Sequence, residues 1–271
     1  MNKNKIKLLI SGHNGYIGSH FCKYLKKKKL NFTKFNYEKY PKNLSKFTHF
    51  FHFEFQIKIN KKLINNNSKK IDRVLKICSE NNIKFIFPST ASYKHNNNGK
   101  RLSNKISVVN DYASSKLICE KKIIDSNKKK DLEFFIFRIF NVYGGSLKNR
   151  WVVASLVKKF KSLQKITIAN SGNYRDFINI SDLNDLFFKS LKKNNSGIFE
   201  VGTGKATSIR NLAHLIKKFL RTNIRIYFTK PTRSKTNFYS KAQIKKTKNF
   251  FSWQPKIDLK NGLKKVIISG K

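Results

Sequence analysis

The chain has 271 residues, of which 39% are hydrophobic, and it carries a formal net charge of +45 at pH 7. A chain of this length buries a real core as one large or two small domains. It contains no apolar run near the roughly 20 residues that span a bilayer, and its basic, polar start is unlike a secretory leader. We therefore expect a cytoplasmic protein rather than a membrane or secreted one.

The positive charge is the first functional signal to weigh. A strongly basic protein binds nucleic acid or an anionic surface through counterion release. Here the excess is mostly Lys, it accompanies heavy use of Asn, Ile and Phe, and it is spread through every predicted helix instead of forming one stripe. This distribution favours a bias in base composition, and we expect no dedicated nucleic-acid binding.

The first predicted element is an apolar strand over residues 5–11, followed by a glycine-rich turn and a helical pattern through Leu25. In that turn Gly12 allows a tight bend, Gly15 lets backbone N–H groups approach a pyrophosphate, and Gly18 lets helix and strand pack closely. The segment predicts a dinucleotide site whose contacts are Gly12, Asn14, Gly15, Tyr16, Ile17 and Gly18.

Strands and helices then alternate along the chain. Strands are predicted at 30–36, 48–53, 83–89 and 132–138, with helices at 66–80 and 111–126. Alternation of this kind predicts a parallel sheet covered on both faces, with ligands at the carboxyl ends of its strands. Beyond residue 144 the order is mixed, with helices at 149–163, 181–193 and 207–220, strands at 165–169, 174–178, 198–201 and 224–228, and helical segments near the end.

The three cysteines lie within predicted helices. Cys22, Cys78 and Cys119 have no paired spacing. This pattern indicates neither a disulfide framework nor a metal site, so we predict that they are core residues.

The helix at 111–126 carries Tyr112 and Lys116, which lie four residues apart and therefore on one face, one turn from each other. A tyrosine titrates near ~10 in water, and an ammonium one turn away favours the phenolate and lowers the pKa. The pair predicts that Tyr112 acts as an acid/base; the alternative is that Tyr112 is a half-buried aromatic residue.

Several further segments match one family in order along the chain. They are Phe85-Ile86-Phe87-Pro88-Ser89-Thr90-Ala91-Ser92-Tyr93, the segment Arg138-Ile139-Phe140-Asn141-Val142-Tyr143-Gly144, residues 174–182, residues 199–209 and Trp253-Gln254-Pro255. Together with the G-x-x-G-x-x-G turn and the Tyr/Lys pair, they resemble the extended short-chain dehydrogenase/reductase family, in its nucleotide-sugar epimerase/dehydratase branch. The resemblance covers essentially the whole chain.

The resemblance implies the domain organisation. We expect an α/β fold with a Rossmann-type doubly wound parallel sheet over residues 1–143. A smaller C-terminal substrate-binding cap is expected over 144–271, with 181–202 returning to the sheet. Family members commonly form homodimers through two helices of the sheet domain, and the helix bearing Tyr112 would be one of them.

Roles in catalysis follow from the same resemblance. Tyr112 would be the acid/base on the sugar hydroxyl, while Lys116 would hold the nicotinamide ribose and lower the pKa of the tyrosine. The hydroxyl that orients the sugar oxygen is Thr90 when counted from the strand and Ser89 when counted back from Tyr93. We prefer Thr90.

Substrate contacts are implied in the second half of the chain. Asn141 is expected to contact the substrate, and the guanidinium of Arg175 suits a diphosphate because it donates two parallel hydrogen bonds. The alternatives are a turn amide for Asn141 and a surface ion pair with Asp176 for Arg175. Lys230 or Arg233 is expected to supply a second phosphate contact.

The sequence departs from the family on the cofactor side. Asn36 stands where an acidic residue normally binds the adenosine ribose and selects NAD. Since Lys34 and Lys39 flank it, we expect NAD as cofactor and leave NADP open.

A second departure follows the next strand. His52, itself a predicted cofactor contact, begins His52-Phe53-Glu54-Phe55 where the family has H-L-A-A. A charge and a bulky ring thus replace two small residues beside the cofactor. This predicts altered cofactor packing or weakened activity.

The reaction that the resemblance favours is epimerisation through transient oxidation at sugar C4, as in UDP-glucose 4-epimerases. Ala91 and Ser92 follow Thr90 where a dehydratase places an Asp-Glu pair, which argues against dehydration. An alternative is an NADPH-dependent nucleotide-4-keto-6-deoxysugar reductase, because residues 89–95 resemble a loop of CDP-abequose-type 4-ketoreductases. A third alternative is a non-catalytic scaffold or RNA-binding protein on the same fold.

Overall fold

The computed structural model describes residues 6–56, 61–92, 110–145, 151–229 and 239–269. Within these, residues of Met1–Tyr93, Ser107–Ile139 and Asn184–Phe199 form one compact unit. Residues of Phe140–Leu183 and Glu200–Lys271 belong to a second unit.

The elements alternate in the first half of the chain and are mixed afterwards. In chain order the first eight are β1 (Leu8–Ser11), α1 (Tyr16–Lys27), β2 (Phe32–Lys34), β3 (His49–His52), α2 (Lys61–Glu80), β4 (Lys84–Thr90), α3 (Asp111–Lys130) and β5 (Phe134–Ile139). They are followed by β6 (Asn141–Tyr143), α4 (Val152–Ser162), β7 (Lys165–Ala169), β8 (Tyr174–Asn179), α5 (Ile180–Ser190), β9 (Gly197–Val201), β10 (Ala206–Ser208), α6 (Ile209–Leu220), β11 (Arg225–Thr229), β12 (Tyr239–Ser240), α7 (Lys245–Phe251) and α8 (Leu259–Ser269).

The first unit is organised around a six-stranded sheet in the order β2-β1-β3-β4-β5-β9. The pairs β1–β2, β1–β3, β3–β4 and β4–β5 are all parallel. The strand order reverses between β1 and β3, where Ser11 is in register with His52. Ligands of open α/β sheets bind at such a switch point, outside the carboxyl ends of the strands. The α/β prediction is confirmed.

The four inner strands of this sheet, β1, β3, β4 and β5, are buried on both faces over nearly all of their length and form the core of the unit. Phe50, Phe85, Phe87, Phe135 and Phe137 are fully buried. Phe85 and Phe87 stack with ring centroids 6.2 Å apart, and such aromatic pairs stabilise a core by about 0.5–1.5 kcal/mol beyond their buried area. Continuous apolar runs of this kind are typical of a parallel sheet covered by helices.

The three cysteines are free and buried, so their prediction as core residues is confirmed. Cys78 is on α2 and Cys119 is on α3. Both join the same apolar cluster as the sheet.

In the second unit β8 is the central strand of a small sheet. It pairs antiparallel with β10 and parallel with β6 and β12, while β7 and β11 form a parallel pair of their own. The faces of α4, α6 and α8 share a core that contains Leu156, Leu212, Ile216 and Leu263. The unit therefore has an apolar core of its own.

The elements differ from the predicted ones mainly in length and in the shortest strands. The helix α3 runs four residues beyond the predicted end, through three lysines to Asp131, which adopts a left-handed conformation with φ 53°. Cations in the last turn complement the helix dipole. Strands β6, β10 and β12 have only two or three residues, too few for a periodic signal, and they form because β8 is beside them.

Among the described residues, no helix combines the length and apolarity that crossing a membrane requires.

Candidate cofactor and catalytic site

The glycine-rich turn joins β1 to α1 at the switch point. Gly12 has φ +64°, and a Cβ atom there would lie 2.3 Å from the backbone nitrogen of Glu54. A Cβ atom at Gly18 would lie 2.3 Å from the carbonyl oxygen of Gly12. Both positions accept only glycine, as the sequence predicts. Gly15 begins the helix as its N-cap and is exposed, as is Asn14, so the positive end of the helix dipole opens to solvent here.

His13 lies within this turn and has an unusual environment. Among the described residues, its Nδ1 is one of two buried side-chain polar atoms without a hydrogen-bond partner, the other being Oδ1 of Asn184. Buried polar atoms are nearly always paired, and an unpaired ring nitrogen beside a helix N-terminus suits an anionic group. The sequence prediction did not include His13.

Asn36, which the sequence predicts on the adenosine side of the cofactor, lies two residues after β2. Its side chain is exposed and its Oδ1 accepts a hydrogen bond from Glu38 N at 3.1 Å. Lys34 and Lys39 are exposed as well. The side-chain amide of Asn36 therefore stabilises the turn that follows β2, and an exposed lysine lies on either side of it in the sequence.

His52 ends β3 and is buried. Its Nδ1 shares a hydrogen bond with Ser11 Oγ at 2.8 Å. Burial, assisted by the nearby charges of Lys116 and Lys70, lowers its pKa to about 3. The imidazole is neutral and part of the core, and its predicted contact with the cofactor stays a prediction.

Tyr112 and Lys116 lie on α3, whose start is capped by Asn110 Oδ1 accepting from Ala113 N. The Nζ of Lys116 is buried and donates to the carbonyl oxygen of Pro88 at 2.7 Å. It lies 3.8 Å from the ring centroid of Phe55 and 4.3 Å from that of Phe87. The ammonium is thus held by one carbonyl and two aromatic faces.

In this structure, burial outweighs the predicted effect of Lys116 on the pKa of Tyr112. Burial raises the pKa of Tyr112 to about 12, and burial lowers the pKa of Lys116 to about 7. The ring that meets Tyr112 is Phe55, edge to face at 5.7 Å between centroids. Phe55 contacts both residues, and desolvation outweighs the attraction that one helical turn of spacing suggested.

The end of β4 carries the two candidate hydroxyls, which point to opposite faces because they are adjacent in a strand. Ser89 Oγ donates to Glu120 Oε1 at 2.5 Å, and Glu120 in turn binds Arg138 through Nε and a terminal nitrogen at 2.6 Å. Thr90 Oγ1 instead donates to Ser92 Oγ at 2.9 Å. Ser89 therefore takes part in a buried ion-pair network, and the preference for Thr90 as the hydroxyl that orients a substrate oxygen stays a prediction.

Sequence reasoning missed Glu120 and Arg138 as structural partners. Both are partly or fully buried, with side-chain exposures of 1% and 11%. A usable signal existed, since the chain has only 14 acidic residues and Glu120 follows Lys116 by one helical turn, on the inward face of α3.

The second unit contains two of the predicted substrate contacts. Asn141 Nδ2 donates to the carbonyl oxygen of Asp176 at 3.0 Å, which is the contact of a structural amide. Burial lowers the pKa of Arg175. Asp176 is fully buried and its carboxylate accepts hydrogen bonds from the backbone nitrogens of Thr203, Gly204 and Ala242. Lys230 and Arg233 lie outside the described residues, and their roles stay predictions.

Comparison with known proteins identifies the family. A model of the NAD dependent epimerase/dehydratase family matches residues 51–202. ADP-L-glycero-D-manno-heptose-6-epimerase of Brachyspira hyodysenteriae is 31% identical over 221 residues, which are 76% of this chain and 69% of that protein. UDP-glucuronic acid decarboxylase 3 of Arabidopsis thaliana is 26% identical over 182 residues, 66% of this chain and 51% of that protein. The chain thus spans about half the length of the decarboxylase.

The fold is shared with solved structures. A UDP-glucose 4-epimerase of Thermus thermophilus, in complex with NAD, superposes with a TM-score of 0.79 at 21% identity, over 97% of this chain and 98% of that one. The family is NAD-dependent, and its members among these relatives are enzymes acting on nucleotide sugars. This chain belongs to the NAD dependent epimerase/dehydratase family, as its motifs predict.

Proposed function

We propose that this member of the NAD dependent epimerase/dehydratase family is a nucleotide-sugar epimerase that works by transient oxidation at sugar C4. One observation carries the proposal. A single compact unit contains the glycine turn after β1, Thr90 at the carboxyl end of β4, and Tyr112 with Lys116 on the first turns of α3. Parallel strands bring their carboxyl ends to one edge, so these groups serve one site.

The residues of the turn fit the pyrophosphate of a dinucleotide. Gly12 and Gly18 let the backbone approach closely, the exposed Gly15 begins α1, and the unpaired Nδ1 of His13 offers a hydrogen bond. Lys116 fits a ribose hydroxyl by its chemistry, but its amine lies against Phe55. We therefore assign the turn as the anchor of the cofactor and Lys116 as a group that meets it after a local rearrangement.

A bound nicotinamide supplies the hydride acceptor and donor, and the protein supplies orientation and proton transfer. With a pKa of about 12, Tyr112 is protonated at neutral pH and serves as the acid toward a sugar oxygen. To serve as the base it needs a cation within a few ångströms. Lys116, one turn away, is the group that would provide it, while Thr90 would hold the same sugar oxygen.

For the substrate, we keep Arg175 as the candidate for the diphosphate because its guanidinium can donate two parallel hydrogen bonds. Asn141 stays a candidate substrate contact, although its Nδ2 donates to the carbonyl oxygen of Asp176. Lys230 or Arg233 remains our candidate for the second phosphate contact. We also propose that the protein forms a homodimer through α3. We propose a cytoplasmic location for it.

A second candidate is a reductase that uses NADPH once per turnover. It is favoured by Asn36, an exposed amide between the exposed Lys34 and Lys39. Such a loop has no carboxylate at Asn36 to repel a 2′-phosphate, and its cations attract one.

The test starts from the purified full chain. Acid release followed by chromatography identifies whether NAD or NADP copurifies, and NMR follows the C4 configuration of UDP-glucose and related sugars. C4 inversion without net consumption of dinucleotide supports the epimerase, and stoichiometric NADPH oxidation with a 4-keto sugar supports the reductase. Tyr112→Phe is expected to lower turnover by about 100-fold or more. Unchanged turnover in Tyr112→Phe would reject the acid/base assignment.

A further inference from the structure

The segment that follows β3 places an aromatic ring directly on Lys116. Phe55 is three residues past the end of β3, at the sheet's switch point. Its ring centroid is 3.8 Å from Nζ of Lys116 and 5.7 Å from the ring of Tyr112. The ring of Phe87 also lies against the amine, and the carbonyl of Pro88 accepts its hydrogen bond. A ligand can reach Nζ only if one of these groups moves.

The two rings beside the amine differ in how they are held. Phe87 is a fully buried residue of the central strand β4. Phe55 is only partly buried and lies outside any helix or strand. Phe55 packs against the core cluster and meets Phe87 edge to face, but it belongs to no strand. Its rotation would therefore leave the strand pairing of the sheet in place, whereas movement of Phe87 would break the core.

The backbone around Phe55 is tied to α2 on both sides. Glu54 forms an ion pair with Lys70, and Gln56 N donates to Oδ1 of the buried Asn67 at 3.3 Å. These contacts fix the segment, so the side chain of Phe55 is the part that can move.

We propose that Phe55 is an aromatic gate over Lys116, and that its ring must leave before the amine can meet a dinucleotide. Phe55 is then the residue that sets the affinity of this site for its cofactor. That the ligand is a dinucleotide rests on the proposed function. That Phe55 covers Lys116 rests on the geometry alone.

The gate predicts two separate effects of Phe55→Ala. In the cofactor-free protein, the amine of Lys116 becomes accessible, so its acylation by acetic anhydride rises by about tenfold or more, measured by peptide mass spectrometry against Lys121 in the same protein. The reaction is run at about pH 10.5, where a large fraction of the amine is unprotonated whether it is covered or exposed. In calorimetric titration at pH 6, where Lys116 is protonated, NAD binds about tenfold tighter or more, because a desolvated cation–π contact no longer has to be broken. Phe55→Leu keeps an apolar side chain at this position, so its acylation rate and its NAD affinity are expected to lie between those of the wild type and those of Phe55→Ala.

Phe228→Ala is the matched control. It removes a ring that lies 4.0 Å from the guanidinium carbon of Arg210 in the second unit and should change neither measurement. If Phe55→Ala fails to fold by circular dichroism, Phe55→Leu carries both measurements with smaller changes.

The outcomes separate the gate from the function. Faster acylation with tighter NAD binding supports the gate. Unchanged acylation, or unchanged NAD affinity in a protein that does bind NAD, overturns it. Faster acylation with no binding of NAD or NADP by any variant rejects the proposed function and the ligand assigned to the gate.

Discussion

Replacing Lys116 by Met tests the electrostatics of the site through the stability of the protein. Burial lowers the pKa of Lys116 to about 7, against about 10.4 for an unfolded lysine. That difference corresponds to about 5 kcal/mol in the free energy of unfolding. Met has a similar unbranched shape and no charge, so the variant loses this unfavourable contribution. It also leaves the Pro88 carbonyl without its donor, an effect of about 1–3 kcal/mol that does not depend on pH.

The direction in which stability changes with pH depends on whether the folded or the unfolded state binds more protons. Below pH 7 both states of the wild type are protonated, and the folded state bears the full cost of a buried charge. Between about pH 7 and 10.4 only the unfolded state is protonated, so the unfolded state binds more protons and the stability of the wild type rises with pH. The gain from Lys116→Met should therefore shrink by about 3 kcal/mol between pH 6 and pH 9.

Thermal unfolding followed by circular dichroism at pH 6 and pH 9 measures this change. At about 2–4 °C per kcal/mol for a chain of this size, the difference in Tm between variant and wild type should fall by about 6–12 °C. Lys121→Met, an exposed lysine on the same helix, should show a difference that is the same at both pH values. A difference for Lys116→Met that is constant or grows with pH would refute the assignment of a buried, destabilised ammonium.

Two further predictions concern buried carboxylates. Glu120→Gln should lower the free energy of unfolding by about 3–5 kcal/mol, because Arg138 is left as an uncompensated buried charge; urea unfolding measures the loss, and a loss below about 1 kcal/mol would contradict the network. In the second unit, Asp176→Ala should lower stability by about 2–4 kcal/mol, because three backbone N–H groups lose their acceptor. Asp176→Asn, which keeps an acceptor oxygen, should lose less in the same measurement, and equal losses would argue against the hydrogen bonds.

The sequence predicts the fold best at positions where the backbone conformation or the space around it allows only one residue type. Gly12 has a positive φ, and both Gly12 and Gly18 leave no room for a Cβ atom, so the tight turn after β1 could be predicted from the sequence. The buried strands β1, β4 and β5 were equally clear, since each contains an uninterrupted run of apolar residues. Strand β6 could not be predicted, because its three residues form a strand only beside β8.

The electrostatics of the site were less predictable. Spacing places Tyr112 and Lys116 on one face of α3, but it says nothing about what lies between or above them. Phe55 comes from a different part of the chain, and only the folded structure brings it to within 3.8 Å of Nζ. The resemblance stated from the sequence predicted a ring at Phe55 where the family pattern has a small residue, but it did not predict which side chains that ring contacts.

The charges along α3 indicate why this lysine, among so many, belongs to a site. Lys122 on the outer face pairs with Asp72 at 2.5 Å, and Glu120 on the inner face is satisfied by Arg138 and Ser89. Lys116 is buried with one carbonyl and two rings around its Nζ, an environment that lowers its pKa instead of stabilising its charge. Core packing alone favours an apolar residue at such a position, so a lysine there is better explained by a partner that the folded chain does not itself supply. An electron-rich group such as a ribose hydroxyl or a phenolate would stabilise the ammonium, and the proposed movement of Phe55 would give such a group access to Nζ.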